Sequence, residues 1–260
     1  MPGEPDESTK LEEILKSTIL AHLSKLERYE PAHGRGPKSL SAFELRKAFS
    51  DDPVYSIFGL DSPEYIAAAL AGGTITSIHR KIGDAYEECI RLIFSTEYHL
   101  SLEQTQYTAL ISSGDRQSRR SLDLYLPLRD IPSARVSWES YAYEQLGQIS
   151  PAPKVAIEAI GLEIRHCYQS ADAKRVQADE AMARHCLVSG ILPVMLIFCS
   201  QSNRSVISRY RSLWIVTEGR VSYDLVEEQT GFDFHAFLLA NKETFRQPVI
   251  SMLKRLREEP

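Results

Sequence analysis

A chain of 260 residues, 43% hydrophobic and 25% charged, can bury one large core, with or without an appended subdomain. Its formal net charge of −5 excludes a globally basic nucleic-acid binder, so any grip on phosphates must come from local clusters. The opening MPGEPDESTK lacks the basic-then-apolar pattern of a signal peptide, and the longest apolar stretch, ILPVMLIFC at 191–199, is too short to span a bilayer. A cytoplasmic protein without a membrane partner is expected.

The first eight residues read as an acidic tail. From Ser8, STKLEEILKSTILAHLSKLERYE is an amphipathic helix, with Leu11, Ile14, Leu15, Ile19, Leu23 and Leu26 near a 3.6-residue period and Ser8 as N-cap. PAHGRGPKS is a loop by its Pro and Gly content. Short helices follow at 41–49 and 62–71, the second with Pro63 at its first position. ITSIHRKIGDAYEECIRLIFS, 75–95, is the strongest helix, with Ile78, Ile82, Ala85, Cys89 and Ile93 along one face.

Beyond residue 105 the period changes. QYTALIS (106–112), SLDLYLPL (121–128) and VAIEAIGLEIRHC (155–167) alternate as strands do. The insert 129–154, with Pro132, Pro151 and Pro153, allows a short helix or a hairpin. AKRVQADEAMARHCLVSG (173–190) is a helix stopped by Gly190, and the continuously apolar ILPVMLIFC is a buried central strand. A short helix SNRSVISRYR, a strand–EG–strand segment in SLWIVTEGRVSYDLV and a helix from 232 to the end complete the chain. The order predicts an α/β (α+β) fold, a mixed central sheet flanked by helices. Three regions are expected: an N-terminal helical region 1–74 (for dimerisation or DNA contact), a core 75–240 and a C-terminal helix 241–260.

Cys89, Cys167, Cys186 and Cys199 form no CxxC pair and sit among apolar residues, which predicts reduced core thiols. GxSxG, GxGxxG and P-loop patterns are absent, which argues against a nucleophilic triad and against nucleotide cofactors.

The chemistry concentrates in two strands. Alternation in SLDLYLP sets Asp123 and Tyr125 opposite the leucine face, and in AIGLEIRHC it sets Glu163 and Arg165 on one face with Gly161. If the strands are neighbours, two carboxylates meet, a hard-oxygen pair suited to Mg²⁺ with water and phosphate oxygens as further ligands. Taken alone, an E-x-R on a strand is more often an ion pair. Arg116, Arg119 and Arg120 precede the Asp123 strand, Lys174 and Arg175 open the helix after the Glu163 strand, and Arg204, Arg209 and Arg211 follow the buried strand. Their shared position at strand ends suggests a phosphate-binding rim, with Ser202, Asn203 and Arg204 as candidate base contacts.

These residues resemble the PD-(D/E)XK nucleases, and among them the type II restriction endonucleases. HRKIGDAYEECI is similar to the family's helix before the core sheet, with Gly83 and Glu87 at the recurring spacing. EIRHCYQSADAKR resembles its E-x-K run followed by G/A-D-x-K, and WIVTEGRVSYDLVEEQTGFDFHAFL resembles its hairpin and TG-x-D ending. The likeness spans about 78–240. It implies a restriction-endonuclease-like core and Mg²⁺-dependent cleavage of double-stranded DNA leaving 5′-phosphates. Asp123 and Glu163 would bind the metal, Arg165 would contact the phosphate, and Glu87 and Lys174 would support the site. A homodimer and a cognate DNA methyltransferase as genetic partner are further implications. Where the family carries lysine this chain has Arg165, which keeps the charge but cannot act as a base. An active variant, a variant served by Lys174 or Lys154, and an inactive DNA-binding descendant all fit, as does a repair or junction nuclease.

Overall fold

The computed structural model describes residues 7–26, 29, 40–113, 116–149, 155–168 and 173–258. Helix α1 spans Glu7–Leu23 and passes into a 3-10 turn at Ser24–Leu26. The Ser8 side chain, the end of the expected first helix and the PAHGRGPKS loop lie outside what is described. Helix α2, Ala42–Ser50, starts in a capping box: Ser41 Oγ accepts from the Glu44 N–H while the Glu44 carboxylate accepts from the Ser41 N–H. A further short helix, α3 (Pro53–Ile57), follows an Asp52 cap.

The two helices expected at 62–71 and 75–95 are one, α4, Pro63–Glu97. Gly72 and Gly73 cost helix stability but impose no break, and Ala67, Ala68, Ala69 and Ala71 on their N-terminal side favour continuation.

Contacts divide the chain into two compact units, 1–15 with 86–240 and 16–85 with 241–260. The first holds both sheets. Strands β1 (Thr108–Ser113) and β2 (Arg116–Ser121) form an antiparallel ribbon. Strands β3 (Leu124–Pro127), β4 (Ala159–Arg165), β5 (Ile191–Ile197) and β6 (Ile215–Glu218) form a mixed sheet in that order. β3 runs antiparallel to β4, and β4, β5 and β6 are parallel. Helix α6 (Ala173–Val188) connects β4 to β5, and α7 (Arg204–Tyr210) connects β5 to β6. The mixed sheet with flanking helices agrees with the α/β (α+β) expectation at that level.

β4 is more buried than its alternation suggests, with residues of both faces withdrawn from solvent. Ile160 and Leu162 are fully buried, and Glu163 on the other face is only 5% exposed. β5 is buried throughout, as a continuously apolar parallel strand requires. Gly190 ends α6 at φ 71°, where a Cβ would stand 2.7 Å from the Ala156 carbonyl oxygen.

Three segments differ from expectation. The insert 129–154 contains α5, Pro132–Gln145, with Pro132 at its first position and Ala134, Trp138 and Ala142 buried one turn apart. Trp138 is fully buried and donates its indole N–H to the Tyr98 hydroxyl at 2.9 Å. The second strand expected after Glu218–Gly219 is helix α8, Arg220–Thr230, which buries Ser222, Leu225 and Val226. The C-terminal helix is two, α9 (Phe234–Ala240) and α10 (Lys242–Glu258). Among the described residues no helix is long and apolar enough to cross a membrane.

Gly161 sits between β3 and β5 in the register, opposite Tyr125 and Pro193. A Cβ there would lie 2.7 Å from Leu122 Cδ1 and 2.9 Å from Ile191 Cγ2, both closer than van der Waals contact. Gly161→Ala is expected to destabilise the protein by about 1–3 kcal/mol, as overpacked cores do. The urea midpoint should fall with an unchanged slope; an unchanged midpoint would show that this strand junction has slack.

Candidate active site

Strand register assembles the site. Leu124 pairs with Leu162, so one step further the ladder places Asp123 opposite Glu163, and the Asp123 N–H donates to the Leu162 carbonyl at 3.1 Å. The two candidate acids therefore meet across β3 and β4, and the cation between them is Arg165. Its Nη1 donates to Asp123 Oδ2 at 2.7 Å, and its Nη2 pairs with Glu163 Oε1. Asp123 Oδ2 also accepts the Ile164 N–H at 2.8 Å, and Nη1 donates to the Ile164 carbonyl at 2.8 Å. The three side chains are 16%, 7% and 14% exposed for Asp123, Glu163 and Arg165, so solvent screens this triad weakly.

Burial opposes the Arg165 charge, but Asp123 first, then Tyr168 and Asp179, outweigh it and raise the guanidinium pKa above its ordinary value. Arg165 is a permanent cation here. Its Nε is buried with no hydrogen-bond partner among the described residues.

Glu87, on α4, joins from the helix side. Its Oε1 accepts from Arg91 Nη2 at 2.7 Å, and Arg91 donates through Nε and Nη2 to the Asp123 carbonyl at 3.0 and 2.8 Å. Burial raises the Glu87 carboxyl pKa and the nearby Asp123 charge raises it further, with Arg91 and Arg165 offsetting part of the rise. Arg91 escaped the sequence reading, although its i,i+4 spacing from Glu87 was visible.

A cleft of about 490 Å³ opens over the triad. Arg119 and Arg120 from β2 and Lys174 and Arg175 from α6 line it together with Asp123, Glu163 and Arg165. Four of the expected basic residues thus share one cavity with the acids. Arg116 lies on β2, but its side chain is outside what is described, as are Lys154 and Asp172. Asn203 and Arg204 are placed elsewhere. Asn203 Oδ1 caps α7 by accepting from the Ser205 N–H at 3.1 Å, and Arg204 pairs with Glu218 at 3.3 Å; neither lines the cleft.

The cleft also contains an acid that sequence reasoning passed over. Asp179, on α6, is buried, and its Oδ2 accepts both the Tyr168 and Tyr210 hydroxyls, at 2.8 and 2.9 Å. Val176, Asp179 and Ala183 fall on one helical face, so an acid in an apolar stripe was the available signal.

The expectation of four reduced thiols is corrected two residues beyond Arg165, past the C-terminal ends of β4 and β5. Cys167 and Cys199 form a disulfide, with Cα atoms 5.2 Å apart, where backbone pairing (Phe198 N–H to the Arg165 carbonyl, Cys199 N–H to the His166 carbonyl) keeps the ends of β4 and β5 together. Separation by 32 residues leaves no local sequence signal for that pairing. Cys89 and Cys186 are free and buried, and burial pushes each thiol up to about 12.

Among the described residues no three His, Cys, Asp or Glu side chains are gathered to hold a metal ion. The donor chemistry of Asp123 and Glu163 nevertheless suits a hard divalent cation, since Mg²⁺ is often held by one or two carboxylates with water and phosphate oxygens. Here the charge of both is met by Arg165. Comparison with protein families, curated proteins and solved structures finds no match to this chain.

The raised Glu87 carboxyl predicts a pH signature. A carboxyl with a higher pKa folded than unfolded favours the folded state at low pH, and that contribution is lost as pH rises through the folded value. Glu87→Gln removes this titration. Its stability relative to the parent should therefore improve as pH rises from about 4.5, the ordinary glutamate value, to 7. A difference independent of pH, measured by urea unfolding across that window, would show that Glu87 is not destabilised by its surroundings.

Proposed function

We propose that the protein is a Mg²⁺-dependent endonuclease acting on double-stranded DNA, of the restriction type, leaving 5′-phosphates. The observation that supports this best is the cleft in which two carboxylates from paired strands lie beneath four basic side chains on an acidic protein. Such a rim attracts a phosphodiester backbone, and a carboxylate pair beneath it has the oxygen donors that a divalent cation would use.

Asp123 and Glu163 would hold the metal, whose contribution when bound is to polarise the phosphate and lower the pKa of a water. The protein's own residues do the rest. Arg119, Arg120, Lys174 and Arg175 seat the backbone by charge. Arg165 supplies a fixed guanidinium suited to a phosphate oxygen, and it holds its proton throughout, so it acts by charge and not as a base. Arg91 and Glu87 fix the Asp123 backbone from α4. A palindromic duplex site would call for a two-fold homodimer, and a restriction role for a cognate DNA methyltransferase.

A second reading has its own support: an inactive nuclease-like fold that only binds DNA. Arg165 satisfies both carboxylates at once, which is what a site without a metal would need.

Incubation of the purified protein with unmethylated plasmid DNA, with Mg²⁺ or with EDTA, separates the two. Discrete fragments with Mg²⁺ alone are expected, with rates at least about 100-fold lower in Asp123→Asn and Glu163→Gln, which retain side-chain shape. Plasmid retained on the protein but uncut under Mg²⁺ and Mn²⁺ would establish the binding-only reading. Neither retention nor cleavage would rule out both.

A further inference from the structure

The β1–β2 ribbon stands apart from the mixed sheet and carries its own chemistry. An isolated two-stranded ribbon is marginal in water unless one face is packed. Here the packed face is identifiable: Ala109 and Ile111 are buried, and the Tyr107 hydroxyl at the base of β1 is 2.7 Å from His185 Nε2 on α6. By strict alternation Thr108, Leu110, Gln117, Arg119 and Ser121 take the other face, where Leu110 stands directly opposite Arg119. All five are exposed, Leu110 at 67%. A solvated leucine in the middle of a ribbon gains nothing for folding.

The charge on this element is one-sided. β1 and β2 contain three arginines and no acidic residue, in a chain whose net charge is −5. That complementarity selects a polyanion as the occupant. The location narrows it further: Arg119 and Ser121 also line the cleft, and Asp123 follows two residues after Ser121. A two-stranded ribbon is one of the few elements that fit the major groove of B-DNA.

We propose that the outer face of the β1–β2 ribbon enters the major groove of duplex DNA and reads base edges, with Arg119 on a guanine, Gln117 on an adenine and Leu110 against a thymine methyl. The pairings follow from side-chain geometry: a guanidinium can donate twice to guanine O6 and N7, and a carboxamide can match adenine N6 and N7. Arg120, on the opposite side of β2, is left to the phosphates. This rests on the nuclease or DNA-binding reading and deepens it, since it changes Arg119 from a phosphate contact into a specificity residue.

The test is selection from a library of duplexes with a randomised core, using the full chain in EDTA so that nothing is cut. The parent, Arg119→Ala, Gln117→Ala and Arg129→Ala are compared, the last being an exposed arginine outside the ribbon. The parent is expected to enrich a motif containing guanine and adenine. Preference at one guanine should fall about tenfold or more in Arg119→Ala, and preference at one adenine should fall in Gln117→Ala, while affinity for unselected DNA falls by a smaller factor. Arg129→Ala should leave the motif intact, and circular dichroism should be unchanged throughout. An unchanged motif in both ribbon variants overturns the proposal. So does a uniform loss of affinity in Arg119→Ala, the mark of a phosphate contact, or a parent that binds without preference. A parent that binds no duplex removes the DNA reading itself.

Discussion

One guanidinium held between two carboxylates governs the electrostatics of this molecule's cleft. Asp123, Glu163 and Arg165 are all withdrawn from solvent, so each charge depends on the others far more than surface pairs do. Two acids facing each other across adjacent strands would repel at this burial, and a buried arginine without an acid would be costlier still. The site is tolerable only as a set. Any ligand that enters it, whether a cation or a phosphate, must exchange one of these partnerships for another.

The surrounding fold keeps that set in register. β3 and β4 fix the positions of the acids through backbone hydrogen bonds, and Arg91, which also donates to Glu87, ties the Asp123 carbonyl directly to α4. Behind Arg165, Asp179 holds the hydroxyls of Tyr168 and Tyr210, and the Cys167–Cys199 disulfide joins the chain just past β4 and β5. These supports come from α4, α6 and the strand ends. The open side is formed by β2 and the start of α6, where the basic residues lie. An acidic floor under a basic rim follows from that division.

Much of the floor was legible in the sequence, because period-two alternation determines which residues share a face. Asp123, Glu163 and Arg165 could be grouped from SLDLYLP and GLEIRH without coordinates. The ion pairs could not, because the reach of Arg165 to Asp123 depends on a strand register that brings together residues 42 positions apart. Elsewhere, local signals misled. The Gly72–Gly73 pair reads as a break but lies within α4. The EG step before Arg220 resembles a hairpin turn, yet Gly219 at φ 58° opens a helix whose buried Ser222, Leu225 and Val226 recur at three and four residues. The ribbon was half visible: QYTALIS alternates, but RQSRRS has no apolar residue to reveal a strand, and only pairing with β1 makes it one.

The 2.7 Å pairing of Asp123 with Arg165 makes the two energetically coupled, and a double-mutant cycle measures this directly. Urea unfolding of the parent, Asp123→Ala, Arg165→Met and the double variant gives the coupling free energy. The buried pair predicts about 2 kcal/mol or more, with the double variant less destabilised than the sum of the singles. A coupling below about 0.5 kcal/mol, the level of independent sites, would contradict the account.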